Sequence, residues 1–161
     1  MTELVLMRHG HSLSAREAGV ASDSERPLSP RGELEAREAA RRLSASGFTP
    51  DRIVCSPLAR ALRTAEIAAE IFPAAARETA SQLSDGPAQA ILDLIEDLAR
   101  GGGRALVVGH QPLLGAIAGY FTGSEGYDLA PAGFVRVNPS GRPGASELLE
   151  FYSPPEPRDH R

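Results

Sequence analysis

The chain contains no lysine: all 17 of its basic residues are arginine. That absence excludes Schiff-base chemistry and the lysine-dependent phosphate loops. Any phosphate held here must be held by arginine, histidine or backbone N–H groups. Cysteine is almost absent as well. Cys55 stands alone, so no internal disulfide can form, and a cytoplasmic address is expected. No apolar stretch approaches the roughly 20 residues of a membrane span. The first apolar run, Leu4 to Met7, is too short for a signal peptide and has no basic segment before it. The net charge is −4 and the arginines form no block, so neither nucleic acid nor a membrane is an expected partner.

What is present fits one globular domain. At 161 residues the chain is long enough for a proper core, and 42% of it is hydrophobic. Glu3 to Met7 reads as a buried strand that meets a loop at Arg8-His9-Gly10. The polar stretch 12–27 reads as an active-site loop or short irregular helix. Ser29-Pro30 opens a helix, with Ser29 as N-cap and Pro30 at the first helical position, and Gly47 is suited to close it. Arg52 to Cys55 is a second strand, followed by Ser56-Pro57 and an alanine-rich helix to about residue 71. A loop is expected over 73–87. A third helix follows to about residue 100, with Ile91, Leu94, Ile95 and Leu98 at core spacing. Arg104 to Val108 is a strongly apolar strand ending at Gly109-His110-Gln111-Pro112, where another helix begins. Phe134–Val137 and Glu147–Tyr152 read as two strands joined by a turn, and 153–161, with His160, as a disordered tail. Alternating strands and helices indicate an α/β fold, a three-layer αβα sandwich on a mainly parallel sheet.

In such folds sites lie beyond the carboxyl ends of the strands. Arg8, His9, Gly10 and His11 follow the first strand, Ser56, Pro57 and Arg60 the second, and His110 with Gln111 the strand at 104–108. Parallel neighbours would bring these groups into one crevice. Arginine presents a planar fork that matches phosphate oxygens two at a time. A neutral imidazole can attack phosphorus and give a phosphohistidine that water then cleaves. Arg8 and Arg60 would disfavour the imidazolium and keep His9 neutral. His110 could donate to the equatorial oxygens as charge develops, worth roughly 3–4 kcal/mol by analogy with oxyanion donors. Gly10 would allow close backbone approach or a positive φ. No carboxylate cluster is placed for Mg²⁺, so neither metal nor cofactor is expected.

These motifs resemble those of the histidine phosphatase superfamily. Leu4-Val5-Leu6-Met7-Arg8-His9-Gly10 is similar to its strand plus R-H-G signature, and Ser56 to Ala61 with Thr64-Ala65 to its S-P-x-x-R-A-x-x-T-A segment. Val107 to Pro112 resembles the V-G-H-x-P segment around its second catalytic histidine. Asp23 to Gly32 is similar to the D-x-x-R-P-L-[ST]-x-x-G stretch of SixA-type phosphohistidine phosphatases. The resemblance runs in order over about residues 4 to 122. It implies a phosphoglycerate mutase-like fold over 1–152, His9 as the phosphorylated nucleophile, and Arg8, Arg60 and His110 as the rest of the phosphate pocket. Gln111 and His11 are counted as possible substrate contacts beside Arg8 and Arg60; for His11 the alternative is no function.

The substrate stays open between two classes. One is phosphohistidine on a partner protein, such as a histidine phosphotransfer domain; the other is a small phosphate ester. An alkoxide needs a proton to leave, and Asp85 occupies roughly the place where ester-cleaving members carry a general acid. Asp85-Gly86-Pro87 also makes a good turn on its own. A non-catalytic phosphate reader is the remote alternative. Cys55 is expected in the core, because its spacing to Arg60 is one residue short of the C-x₅-R of cysteine phosphatases. His9-x-His11 could suggest a metal pair, but the barrel hydrolases that use one need about 250 residues.

Overall fold

In the computed structural model, residues 2–155 are described. The chain runs β1 (Glu3–Arg8), α1 (Ala15–Ala18), a 3₁₀ turn (Asp23–Glu25), α2 (Pro30–Ala45), β2 (Arg52–Cys55), α3 (Ala59–Ile71) and β3 (Ala76–Thr79). It continues through α4 (Gln82–Asp85), α5 (Ala88–Arg100), β4 (Arg104–Gly109), α6 (Leu113–Thr122), β5 (Phe134–Asn138) and β6 (Glu147–Tyr152). The six strands form one sheet in the order β3-β2-β4-β1-β5-β6. The first four are parallel, while β5 and β6 extend the sheet antiparallel. This is the expected αβα architecture.

Continuous apolar strands are what a sheet covered on both faces requires. Leu4 and Leu6 of β1, with Val107 of β4, face α5 and α6 and meet Ile91, Ile95 and Ile117. Their neighbours Val5, Met7, Leu106 and Val108 face the other way, onto α2 and α3. Each such fully buried aliphatic contributes roughly 1.5–3 kcal/mol. Between α2 and α3 the contact is made by small residues, Ala39 and Ala40 against Ala61, Ala65 and Ala68, so the two helices pack closely.

Helix α2 begins as its sequence requires: the Ser29 side chain accepts from the Gly32 N–H and Pro30 follows it. Gly47, with φ of 84°, takes the left-handed position just past its end. A buried carboxylate, Glu3, bonds Arg104 of β4 and Arg136 of β5 at 3.0 and 2.6 Å, which fixes the register of the three central strands.

The expected loop over 73–87 is partly wrong. It contains β3, an edge strand whose Ala-Arg-Glu-Thr sequence has no apolar alternation and whose residues are all exposed. Pairing with β2, from Arg52 opposite Ala76 to Cys55 opposite Thr79, creates it, helped by the Arg52–Glu78 ion pair. Of the expected tail, residues 153–155 have no regular structure; the remainder, with His160, lies outside the described residues. No helix among the described residues is long and apolar enough to cross a membrane.

Candidate active site

The parallel strands β2, β4 and β1 are neighbours, so their carboxyl ends open on the same side. Backbone pairing persists past the strand ends: the Ser56 N–H donates to Val108 at 3.0 Å and the His9 N–H to Gly109 at 3.1 Å. These bonds set Ser56, His110 and His9 side by side over a cavity of about 440 Å³, whose wall includes Arg8, His9, Arg60, His110 and Gln111. The rings of His9 and His110 lie 5.2 Å apart between centroids.

His9 is only 8% exposed. Its Nδ1 lies 2.7 Å from the Gly10 carbonyl. A carbonyl oxygen can only accept, so Nδ1 carries the proton and the neutral ring keeps its lone pair on Nε2. Burial pushes the His9 pKa down from 6.5 to about 3; the Gly10 bond opposes this, and His110, Arg60 and Arg8 add smaller depressions. The arginines were expected to keep His9 neutral, but burial is the larger cause. His110 is likewise pushed down to about 4, by burial first and then Arg60, with Asp23 opposing and Arg8 assisting. Both rings are therefore neutral near pH 7.

Two positions hold the loop after β1 in place. The Gly10 N–H donates to Thr64 Oγ1 at 3.1 Å, and that hydroxyl donates to the Arg60 carbonyl at 2.8 Å. Thr64 of α3 thus couples the loop carrying His9 to the helix carrying Arg60. Gly10 does not have positive φ. Its requirement is close approach: a Cβ there would stand 2.7 Å from the Gly32 carbonyl oxygen, and one on Gly32 would stand 2.0 Å from the His11 oxygen. Thr64 and Gly32 sat inside recognisable motifs, yet nothing in the sequence assigned them these contacts.

The arginines are preorganised as anion donors. Arg60 is 8% exposed and donates NH1 to the Asp23 carbonyl at 2.9 Å and NH2 to Asp23 Oδ2 at 3.1 Å. Two of its five N–H groups are so engaged, leaving three for a ligand. Asp23 also accepts from Arg26, whose other nitrogens reach Leu13 O and Ser12 Oγ. The hydrogen bonds from Arg26 and Arg60 hold the Asp23 carboxyl below its usual range. Arg8 donates NH1 to Leu129 O at 3.0 Å, and its buried Nε has no partner among the described residues. Asp23 and Arg26 therefore wall the cavity from the 12–27 segment. The D-x-x-R spacing was the signal that could have identified them.

Other expected contacts lie elsewhere. His11 does not line the cavity; its Nδ1 is 2.7 Å from Ser29 Oγ, at the cap of α2. Asp85 is exposed at the end of α4 and is also absent from the cavity wall, although Ser84 and Gly86 beside it contribute. A single helical turn that sends Leu83 into the core directs Asp85 outward. Gln111 lines the cavity with its amide engaged, donating to Tyr127 O at 3.0 Å and accepting from the Gly115 N–H at 2.8 Å. It holds two backbone segments together with one of its two N–H groups and one of its two oxygen lone pairs. Cys55 is a buried free thiol that burial pushes up in pKa, a core residue as expected. Among the described residues no group of three or more His, Cys, Asp or Glu could hold a metal ion. The cavity's arginines and imidazoles suit an oxyanion.

The comparisons with known proteins bear on the family and the fold. An uncharacterized protein of Picosynechococcus sp. is 37% identical over 154 residues, covering 91% of this chain and 88% of that protein. In fold, the protein histidine phosphatase SixA complexed with tungstate matches at a TM-score of 0.82 and 24% identity, over 94% of this chain and 96% of that one. Phosphoserine phosphatase of Entamoeba histolytica in complex with 3-phosphoglyceric acid matches at 0.66 and 21% identity, over 96% and 98%. The fold is thus shared by proteins named for different substrates. The model of branch 1 of the histidine phosphatase superfamily matches residues 4–85, the stretch carrying Arg8, His9 and Arg60. With half of its length matched by that model, and a long alignment to a relative, this chain belongs to the histidine phosphatase superfamily, branch 1.

Proposed function

We propose that the protein is a phosphatase working through a phosphohistidine on His9, and that it removes phosphate from phosphohistidine on a partner protein. One observation carries the chemistry: a buried, neutral imidazole with Nδ1 bonded to the Gly10 carbonyl and Nε2 left free, beside Arg8, Arg60 and His110. Nε2 attacks phosphorus and the new P–N bond forms as the bond to the substrate's nitrogen breaks, its electron pair returning to that imidazole. Water then attacks phosphorus, the P–N bond to His9 breaks with its electron pair returning to Nε2, and inorganic phosphate carries away the water's protons. Arg8 and Arg60 are the phosphate ligands, and His110 donates to the charge that builds on the transferring group.

The substrate preference rests on the cavity's one carboxylate. Among the residues lining the cavity only Asp23 has one, and Arg26 and Arg60 keep it ionised. An ionised carboxylate has no proton for an alkoxide. A phosphohistidine protonated on its other ring nitrogen departs as neutral imidazole and needs none. The likeness in fold to a protein histidine phosphatase points the same way. A reducing, cytoplasmic setting is part of the proposal, given the free thiol of Cys55.

The test compares a phosphohistidine-bearing histidine phosphotransfer domain with a panel of small phosphate esters, using His9→Ala and Asp85→Asn. The expected result is rapid loss of the protein phosphohistidine, slow ester cleavage, no turnover in His9→Ala and unchanged rates in Asp85→Asn. Fast ester cleavage that Asp85→Asn impairs would overturn the substrate assignment. Residual activity of His9→Ala above about 1% of the parent would remove His9 from the nucleophile's role, since loss of a nucleophile costs far more than that.

A further inference from the structure

Ser56 has no role in the chemistry above, yet it is fully buried at the end of β2 and touches the active site. Its Oγ lies 2.8 Å from His110 Nε2, and it accepts from the Leu58 N–H at 3.2 Å. With Leu58 as donor, the hydroxyl's own proton needs an acceptor. His110 Nε2 is the acceptor within hydrogen-bond distance, and a buried hydroxyl proton without a partner is unfavourable. The direction of the bond follows: Ser56 donates and Nε2 accepts. A neutral imidazole that accepts at Nε2 carries its proton on Nδ1. His110 Nδ1 has no hydrogen-bond partner among the described residues and is not among the buried polar atoms left unpaired, so it is accessible, and His110 is a wall residue of the cavity.

We propose that Ser56 is a positioning residue that holds His110 in its Nδ1–H tautomer, so that a donor rather than a lone pair meets the transferring phosphoryl group. In the opposite tautomer Nε2–H would donate to Ser56, and the Nδ1 lone pair would face the phosphate oxygens and repel them. A hydroxyl 54 residues away in sequence thus sets the sign of the interaction between His110 and its ligand. With Leu58 already donating to it, reversing the bond would leave the Ser56 hydroxyl proton without an acceptor among the described residues. The inference takes its chemical purpose from the phosphatase reading but makes a claim about the resting protein that needs no turnover.

Long-range ¹H–¹⁵N correlation spectra of protein labelled in its histidine rings distinguish the two neutral tautomers, and His110→Gln identifies the His110 signals by their loss. Near neutral pH the His110 ring is expected to show the Nδ1–H pattern. Ser56→Ala is expected to move it toward Nε2–H and to lower kcat by about tenfold to a hundredfold, approaching the loss of one oxyanion donor. Ser56→Thr, which keeps the hydroxyl, should restore both the spectrum and most of the rate. An Nε2–H pattern in the parent protein, or an unchanged pattern in Ser56→Ala, would overturn the proposal even with full turnover. The Nδ1–H pattern without any phosphatase activity would leave Ser56 in place and overturn the phosphatase reading instead. Should Ser56→Ala fail to fold, the parent spectrum alone decides the point.

Discussion

Burial of neutral His9 links the proposed nucleophile to the protein's response to acid. Its pKa stands at about 3 in the folded protein, against 6.5 for an unperturbed imidazole. Between those values the unfolded chain binds a proton at this site that the folded chain does not. Stability therefore rises with pH across this window, is fully present above about 6.5 and declines as pH falls toward 3. The slope is about 1.4 kcal/mol per pH unit, which gives a loss of about 2 kcal/mol between pH 7 and pH 5 and about 5 kcal/mol at full protonation. His9→Asn removes the titrating ring, and the amide can still donate to the Gly10 carbonyl. Urea unfolding of both proteins at pH 7 and pH 5 gives a double difference in which His110 and the carboxylates cancel, because they titrate in both. The expected double difference is about 2 kcal/mol, with the parent more acid-sensitive. Equal losses in the two proteins would refute the claim that His9 is buried neutral, and with it the account of why Nε2 is free to attack.

Two further expectations concern the loop that carries His9. Thr64→Val keeps the shape but removes the acceptor of the Gly10 N–H, so it should cost roughly 1–3 kcal/mol in urea unfolding and lower kcat more than it raises KM. An unchanged midpoint and rate would show that Thr64 does not hold the loop. Gly32→Ala would place a Cβ 2.0 Å from the His11 carbonyl oxygen, an overlap with backbone that rotamer changes cannot relieve. It should lose about 2 kcal/mol or more and several degrees in Tm, and a Tm within a degree of the parent would contradict that packing.

On the proposed chemistry, one shared fold can serve different phosphate compounds. The fold supplies the strand ends, while the choice of leaving group depends on whether a protonated acid reaches the cavity. Here Asp23 reaches it but is held ionised between Arg26 and Arg60, and Asp85 is directed to solvent.

The sequence by itself determined the elements whose signals are local. The unbroken apolar runs at 4–7 and 105–108 read as buried strands, and Ser29-Pro30 starts a helix through its own hydrogen bond. The candidate site residues were also legible, because Arg8, His9, Arg60 and His110 lie at or just beyond strand ends, where such folds place their sites. Tertiary structure decided everything that depends on partners distant in the chain. β3 is a strand only because β2 lies beside it. The depressed pKa of His9 comes first from burial, which no local pattern reports. Asp23 meets Arg60 across 37 residues, Gly10 meets Thr64 across 54, and Ser56 meets His110 across 54. A hydrogen bond's direction and a side chain's desolvation are properties of the packed assembly. The residue order places the candidate site groups at the strand ends, and packing then sets their burial, their partners and their orientation.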